Sequence, residues 1–186
     1  MEKMRAMVLS ECAKIETNPL KLTQIDRHEI KRANEILLKI EACGVCHSQL
    51  HGIEGDWLDI GIPPALPTVP GHEVVGKIIG IGKDVTKFKV GDRAGITPLL
   101  EACQKCQYCL EGKEYLCESS IITGESFKGG YTEYITVTEN FATKVPESMK
   151  AEYAAPLFCA GITAYKAVKA AEPKQDKKIG IFGIGG

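Results

Sequence analysis

The sequence lacks any uninterrupted apolar run of the roughly 18 residues that a membrane-spanning helix needs. Its first residues, MEKMRAMVLSECAKIE, also contain no apolar stretch of the length found in secretory signal peptides. These two absences argue against a membrane-bound or secreted protein. They predict a cytoplasmic protein without a membrane partner.

An excess of charge of either sign is missing as well. The chain has 23 Lys and Arg against 24 Asp and Glu, so its net charge is -1. Because nucleic-acid binding needs a positive field that neutralises phosphates, this balance argues against a nucleic-acid partner. The 186 residues, 44% of them hydrophobic, have the composition of one globular domain or one domain and part of another.

Cysteine, in contrast, is plentiful, with eight residues in the chain. In a secreted protein this number would indicate disulfides, but no secretion signal accompanies it. Several of the cysteines stand at C-x-x-C spacing. This pattern favours metal binding or redox chemistry over disulfides.

Three segments alternate apolar and polar residues as half-buried strands do, at 34–42, 74–82 and 131–137. In the first of them the apolar residues on one face are Ile36, Leu38, Ile40 and Ala42. Glycine- and proline-rich turns separate these segments. The sequence therefore predicts a small barrel or sandwich over about the first 150 residues.

The composition changes after Pro146, where alanine becomes frequent. Apolar residues at helical spacing over 162–168 predict a helix, and 179–182 predict a strand that leads into glycines. A helix, a strand and a glycine turn in this order predict that an α/β domain begins near residue 155.

The segment ACQKCQYCLEGKEYLC has the spacing C-x2-C-x2-C-x7-C. Four thiolates this close together can surround one ion, and a closed shell of four cysteines is typical of structural zinc. An iron–sulfur cluster is the main alternative, although the usual third spacing is three residues and a proline usually follows. The other alternative is four buried cysteines that bind no metal. The cysteines are Cys103, Cys106, Cys109 and Cys117.

A second group of metal-binding residues lies between two of the predicted strands. Cys46 follows the segment 34–42, and His72 precedes the segment 74–82. Side chains at a strand end and a strand start can converge on one ion, and an open catalytic zinc site needs three protein ligands. The spacing supplies two of them. The alternative is a buried cysteine and a hydrogen-bonded histidine with structural roles.

The motifs GVCHSQLHG, PTVPGHEVVGKIIGIGKDV, FKVGDRAG and PLFCAGITAYKA, together with the cysteine lobe, occur in a characteristic order. In this respect the chain resembles zinc-dependent alcohol dehydrogenases of the medium-chain dehydrogenase/reductase family. The resemblance implies a mainly β, GroES-like barrel catalytic domain over 1–154, with a structural zinc lobe at about 101–118. It also implies an α/β segment over 155–186, the first helix and strand of a truncated Rossmann domain.

The resemblance implies two zinc ions per chain, a structural one in the cysteine lobe and a catalytic one. The catalytic ion would be held by Cys46, His72 and Cys159, with Glu73 just behind it. Ser48 and His51 match a relay that carries the substrate proton to solvent. Trp57 and Leu99 match walls of the substrate pocket.

The implied cofactor is NAD or NADP. His47 matches a residue beside the cofactor pyrophosphate, and Thr163 matches one beside the nicotinamide. The sequence ends within the glycine turn of the family's nucleotide-binding fingerprint. The matching glycines are Gly183, Gly185 and Gly186.

Gln49 departs from the family pattern, which usually has aspartate there to orient the zinc-bound histidine. An amide can accept the same hydrogen bond but carries no negative charge. We therefore expect weaker metal retention, and expect Gln49→Asp to strengthen it. The resemblance gives no role to Cys12, His28 or Cys43.

Together these features predict the catalytic portion of an enzyme that reversibly oxidises a small primary or secondary alcohol to an aldehyde or ketone. We expect the 186 residues to be inactive alone and to self-associate as a homo-oligomer through apolar faces of 155–182. The alternative is a stand-alone zinc-binding GroES-like domain without turnover. Alcohol-dependent reduction of the nicotinamide distinguishes these two functions.

Overall fold

The computed structural model describes residues 2–61, 64–125, 128–174, 176 and 178–182. Nine strands are assigned in this part of the chain: β1 Lys3–Leu9, β2 Leu20–Asp26, β3 Glu35–Gly44, β4 Glu73–Ile81, β5 Arg93–Ile96, β6 Leu99–Glu101, β7 Ile121–Ile122, β8 Tyr134–Thr138 and β9 Ala142–Lys144. Its α-helices are α1 His47–Glu54, α2 Gln107–Leu110, α3 Ala151–Ala154 and α4 Ala160–Ala170. Short 3-10 segments are Ile15–Thr17, Leu58–Ile60, Glu114–Leu116, Glu139–Phe141 and Ala155–Phe158.

The main sheet has five strands in the order β8-β3-β4-β5-β9, and every neighbouring pair is antiparallel. It curls into a half-barrel. The hairpin β1-β2 joins it through two isolated bridges, Ala6 with Thr132 and Leu9 with Thr68. The pair β6-β7 lies beside the cysteine lobe and carries Leu99 at its start.

Alternation along the central strands sends side chains to two cores on opposite faces of the sheet. Val74 is fully buried in the main core with residues of β3, β5 and β8. Its neighbour Val75 is buried in a second core against Ala151, Ala154 and Ala155. The alanine-rich segment after Pro146 therefore packs on the opposite face of the sheet. It lies close to the end of β3 that leads into α1.

The three strands expected from alternation are confirmed as β3, β4 and β8, although β8 begins at Tyr134 and not at residue 131. The expected helix over 162–168 is confirmed as the longer α4. A strand over 179–182 is wrong, because residues 178–182 form no strand. A strand needs a partner for its N–H and C=O groups, and no described strand lies beside this segment.

Most side chains of α4 remain exposed, including Ile162, Tyr165 and Val168. This exposure agrees with the expectation of uncovered apolar faces after residue 155. A domain boundary at that position stays a prediction. No helix among the described residues has the length and apolar character to cross a membrane.

Glu139 is a buried carboxylate that closes the end of β8. It is 7% exposed, and its Oε2 accepts hydrogen bonds from the backbone N–H groups of Thr86 at 2.9 Å and Lys87 at 2.7 Å. The N–H of Lys87, followed by that of Thr86, holds the pKa of Glu139 below its usual range against the effect of burial. The ionised carboxylate therefore links the turn before Phe88 to the end of β8 through these hydrogen bonds.

We expect Glu139→Gln to lower the free energy of unfolding at neutral pH by about 1–2 kcal/mol, because hydrogen bonds to a charged acceptor are replaced by weaker ones. A carboxylate with a lowered pKa stabilises the fold above its unfolded pKa of about 4.3. This contribution is lost as pH falls through the lower folded value. The variant should therefore lose less stability in acid than the parent chain.

Urea unfolding of both chains at a series of pH values measures this difference. The exposed Glu16, changed to Gln, is the control and should follow the parent chain. Parallel pH dependences of the parent chain and Glu139→Gln would contradict the assignment.

Candidate metal centres

The pairing of β3 with β4 brings Cys46 and His72 together. Gly44 at the end of β3 pairs with Glu73 at the start of β4, so the residues just beyond these positions are neighbours. Cys46 is the N-cap residue of α1. His72 directly precedes β4 and is buried. The proximity expected from a strand end and a strand start is therefore observed.

Cys159 reaches the same point from the reverse face of the sheet. It follows the 3-10 segment Ala155–Phe158 and precedes α4. Phe158 packs directly over Gly95, since a Cβ atom there would lie 1.9 Å from the phenyl ring. The backbone of β5 is thus the surface that positions the segment ending in Cys159.

Cys46, His72 and Cys159 form one cluster, in which the three ligand atoms lie within 4.8 Å of one another. The two Sγ atoms are 3.7 Å apart. His72 Nε2 is buried and has no hydrogen-bond partner among the described residues. Burial lowers the pKa of His72, which favours the neutral imidazole that binds metals. Two thiols and an imidazole nitrogen without a partner fit a zinc ion with one position left open.

Gln49 contacts His72 from the side away from the cysteines. Its Oε1 accepts the Gly71 N–H at 2.5 Å, and this bond turns the amide nitrogen towards His72 Nδ1, 2.7 Å away. Because an amide nitrogen only donates, Nδ1 accepts, and the hydrogen of the neutral ring lies on Nε2. The sequence led us to expect the opposite polarity, with the amide accepting. The amide oxygen of Gln49 already accepts a hydrogen bond from the Gly71 N–H.

Glu73 lies behind this cluster. Its carboxylate is buried against Gly44, where an added Cβ would lie 1.8 Å from Oε2. Oε1 is 3.5 Å from the N–H of Ala160. Burial raises the pKa of Glu73 despite that N–H. In the metal-free chain, burial and the neighbouring Cys46 and Glu73 raise the pKa of Cys159 to about 12, so metal binding must displace a proton.

The four cysteines of the lobe form a second cluster. Their Sγ atoms lie within 4.8 Å of one another: Cys103, Cys106, Cys109 and Cys117. Backbone N–H groups of Lys105 and Cys106 lower the pKa of Cys103 to about 6. Burial raises the pKa of Cys109 to about 12. A cluster of four thiols with backbone donors aimed at sulfur fits a closed zinc site.

α1 carries the expected relay and cofactor residues. Ser48 lines a narrow cavity together with Gln49 and Trp57. The rings of His47 and His51 stack, with centroids 4.6 Å apart. Among the described residues, no hydrogen bond joins Ser48 to His51, whose Nδ1 is 2.8 Å from Asp56 Oδ2 instead.

Leu99 does not line the cavity beside Trp57. It packs against the cysteine lobe, and its expected role as a wall of the substrate pocket stays a prediction. The start of β6 directs this residue towards the lobe. Thr163 is exposed on the first turns of α4, and its N–H donates to the Cys159 carbonyl at 3.0 Å. The glycines Gly183, Gly185 and Gly186 lie outside the described residues.

Comparison with known proteins decides the family. The family model of the alcohol dehydrogenase GroES-like domain matches residues 32–147, more than half of the 186 residues. The chain belongs to this family. The matched region contains Cys46, His72 and the whole cysteine lobe, whereas Cys159 lies after it. The resemblance to medium-chain alcohol dehydrogenases seen in the sequence motifs is confirmed.

Individual relatives of this GroES-like domain are alcohol dehydrogenases. One from Geobacillus stearothermophilus is 44% identical over 183 residues, which are 98% of this chain and 52% of that protein. The structure of CAD from Helicobacter pylori complexed with NADP(H) has a TM-score of 0.81 at 31% identity, covering 91% of this chain and 49% of that one.

A cobalt- and zinc-bound thermostable alcohol dehydrogenase from Pyrobaculum aerophilum has a TM-score of 0.78 at 25% identity, with 91% of this chain and 49% of that one covered. The chain therefore spans about half the length of these relatives.

Two contributors to the site have no signal in the sequence. Gly71 acts through its backbone N–H, which no side-chain motif reveals. Asp56 reaches His51 only because Gly55 turns the chain at the end of α1, with φ 78°. A glycine after an amphipathic segment signals a helix end, but not the partner that the following residue meets.

We expect Gln49→Asp to slow zinc loss from the Cys46 cluster, with an affinity gain of about tenfold. Zinc at His72 Nε2 requires the ring hydrogen on Nδ1, where it meets the amide hydrogens of Gln49. A carboxylate offers two oxygens and can accept from both His72 and Gly71. Competition with a chelator measures retention. Gln49→Asn, equal in size to aspartate, is the control, and equal zinc loss from all three chains would contradict the prediction.

We expect Gly95→Ala to weaken metal binding at the same cluster and leave the cysteine lobe loaded. The added methyl overlaps the Phe158 ring, so Phe158 and the adjoining Cys159 must shift, at a cost of about 1–3 kcal/mol. Chelator-induced zinc release, followed in time, separates the two sites. Gly52→Ala is the control, because a methyl there meets nothing within 4 Å. Unchanged release from both sites would refute the proposed anchoring.

Proposed function

We propose that these residues are the catalytic portion of a zinc-dependent alcohol dehydrogenase. The reaction is the reversible oxidation of a small primary or secondary alcohol to an aldehyde or ketone with NAD or NADP. The convergence of Cys46, His72 and Cys159, whose ligand atoms lie within 4.8 Å of one another, carries this proposal. Family membership supports the reaction class, and the NADP(H) complex of the Helicobacter pylori relative supports the cofactor class.

Cys46 Sγ, His72 Nε2 and Cys159 Sγ would hold the catalytic zinc, and the cysteine lobe would hold the second ion. A bound zinc ion supplies Lewis acidity towards the oxygen of an alcohol or a carbonyl group. With three ligands from the protein, a bound zinc ion would keep one position for the substrate. Glu73, buried behind the ligands, adds negative charge next to the cluster when it is ionised.

In this proposal, residues of α1 transfer the substrate proton to solvent. Ser48 lines the cavity, so its Oγ can accept the alcohol proton and hand it on. His51 is 39% exposed and can release the proton to water. His47 and Thr163 are the proposed cofactor contacts, together with the turn Gly183, Gly185 and Gly186.

Trp57 and Ile53 narrow the cavity that Ser48 lines. Its free volume is about 30 Å³, room for about two water molecules. The small volume next to Ser48 and the indole ring leaves little space for a bulky group. This constraint favours a small alcohol.

Metal content and cobalt spectroscopy test the proposal. We expect two zinc ions per chain, one of them lost in Cys46→Ser and the other in Cys109→Ser. In the cobalt-loaded chain, a small alcohol should change the visible spectrum of the Cys46 cluster and leave that of the lobe unchanged. A single metal ion per chain, or a cobalt spectrum that does not change when an alcohol is added, would favour the non-catalytic zinc-binding domain instead.

We propose further that the protein is cytoplasmic and forms a homo-oligomer, and that residues 1–186 alone do not reduce NAD or NADP with an alcohol. Sedimentation equilibrium and a coupled absorbance assay measure these two properties. A monomer at high concentration would overturn the first of them, and a measurable rate would overturn the second.

A further inference from the structure

The cavity next to Ser48 contains a carboxylate for which neither the fold nor the proposed reaction has a use. Among the described residues that line this cavity, Glu125 is the only one with a charged side chain. The other lining residues are apolar or neutral, such as Ile53 and Thr68. The sign of the charge that a solute meets in the cavity is therefore set by Glu125.

The turn before Glu125 holds it at the cavity. Gly124 adopts a left-handed conformation, with φ 87°, and a Cβ there would lie 2.9 Å from both Gln49 Oε1 and Gly71 N. The Gly124 carbonyl accepts a hydrogen bond from Thr68 Oγ1 at 3.3 Å. The backbone that carries the carboxylate is thus packed on the residues that surround the Cys46 cluster.

The Glu125 carboxylate has no hydrogen bond and no ion pair with any residue that the structure describes. Burial raises the pKa of Glu125, and no neighbouring charge adds to or opposes this effect. Part of the residue is nevertheless exposed, so a solute can reach it. A carboxylate that has lost water without gaining a partner is stabilised by a cation placed beside it.

The indole of Trp57 gives the same cavity a second group that attracts cations. The face of an indole ring carries partial negative charge and attracts ammonium groups. A carboxylate and an aromatic ring that line one cavity are together suited to an ammonium group. The free volume of about 30 Å³ restricts this cation to a small one.

We propose that the substrate of this site is a small amino alcohol, whose ammonium group pairs with Glu125 while its hydroxyl group lies next to Ser48. The inference rests on the proposed function and names its substrate class. The reaction is unchanged. The hydroxyl-bearing carbon gives a hydride to NAD or NADP, the hydroxyl proton leaves to solvent, and the ammonium group keeps its protons. The product is an amino aldehyde or amino ketone, and Glu125 determines specificity without taking part in the bond changes.

Visible spectra of the cobalt-loaded chain, recorded at constant pH, test the preference with two alcohols of equal size. They are 2-aminoethanol and propan-1-ol, which differ by an ammonium group in place of a methyl group. We expect 2-aminoethanol to bind about fivefold more tightly, as for a partly exposed ion pair. Glu125→Gln should remove this preference and leave propan-1-ol binding unchanged, and Glu125→Lys should reverse it.

Glu16→Gln, which removes an exposed carboxylate outside the cavity, is the control and should keep the preference of the parent chain. Equal affinities of the parent chain for the two alcohols would overturn the inference. A preference that persists in Glu125→Gln would also overturn it, because the amine would then be binding the cobalt ion.

Carbon-13 NMR of the zinc-loaded chain gives a second readout that does not depend on catalysis. The side-chain carboxyl signal of Glu125, assigned by its loss in Glu125→Gln, should move when 2-aminoethanol is added and stay in place with propan-1-ol. A signal that does not respond to 2-aminoethanol contradicts the proposed pairing. If this signal moves but neither alcohol changes the cobalt spectrum, the dehydrogenase function fails and the cation site remains. The two failures are therefore distinguishable.

Discussion

The antiparallel pairing of β3 with β4 is the contact on which the rest of the structure depends. These strands are neighbours inside the five-stranded sheet, and they supply four buried residues of the main core, Ile36, Leu38, Val74 and Ile78. Their register places Gly44 opposite Glu73. The same ladder that buries the core therefore sets Cys46 beside His72, and a shift of register would separate the two ligands.

The third ligand couples the sheet to the segment after it. Phe158 rests on the bare backbone of Gly95, and three alanines pack on Val75. Both are close contacts, so a displacement there would carry to the adjoining Cys159. Metal binding at the cluster would in turn fasten this segment to the sheet, because a chelated ion joins both.

The hydrogen bonds of Gln49 conflict with the hydrogen-bond acceptor that a zinc-bound His72 would need. The Gly71 N–H and the Nδ1–H of a zinc-bound His72 would both need an acceptor, whereas the Gln49 amide presents its oxygen to Gly71 and its NH2 group to His72. The Gly71 N–H is satisfied by Gln49 Oε1, whereas His72 Nε2 has no hydrogen-bond partner among the described residues. A buried polar atom without a partner is costly, which favours occupation of the cluster. The NH2 group of Gln49, which faces His72 Nδ1, opposes metal binding.

The cysteine lobe and the two strands that flank Cys46 and His72 in the chain, β3 and β4, were determined by the sequence itself. Ligands spaced C-x2-C-x2-C can meet with little help from the rest of the fold, and alternation defines strands wherever one face is buried. The segment 179–182, predicted as a strand, shows the limit of this approach, since pattern alone does not supply a neighbouring strand.

Only the tertiary structure decided the placement of Cys159, the polarity of the Gln49 bonds, the turn that brings Asp56 to His51 and the packing of Leu99 on the lobe. Each depends on a contact between segments that are distant in the chain, or on the direction of a backbone N–H group. The order of residues encodes local spacing directly, whereas such contacts are set by how the whole chain packs.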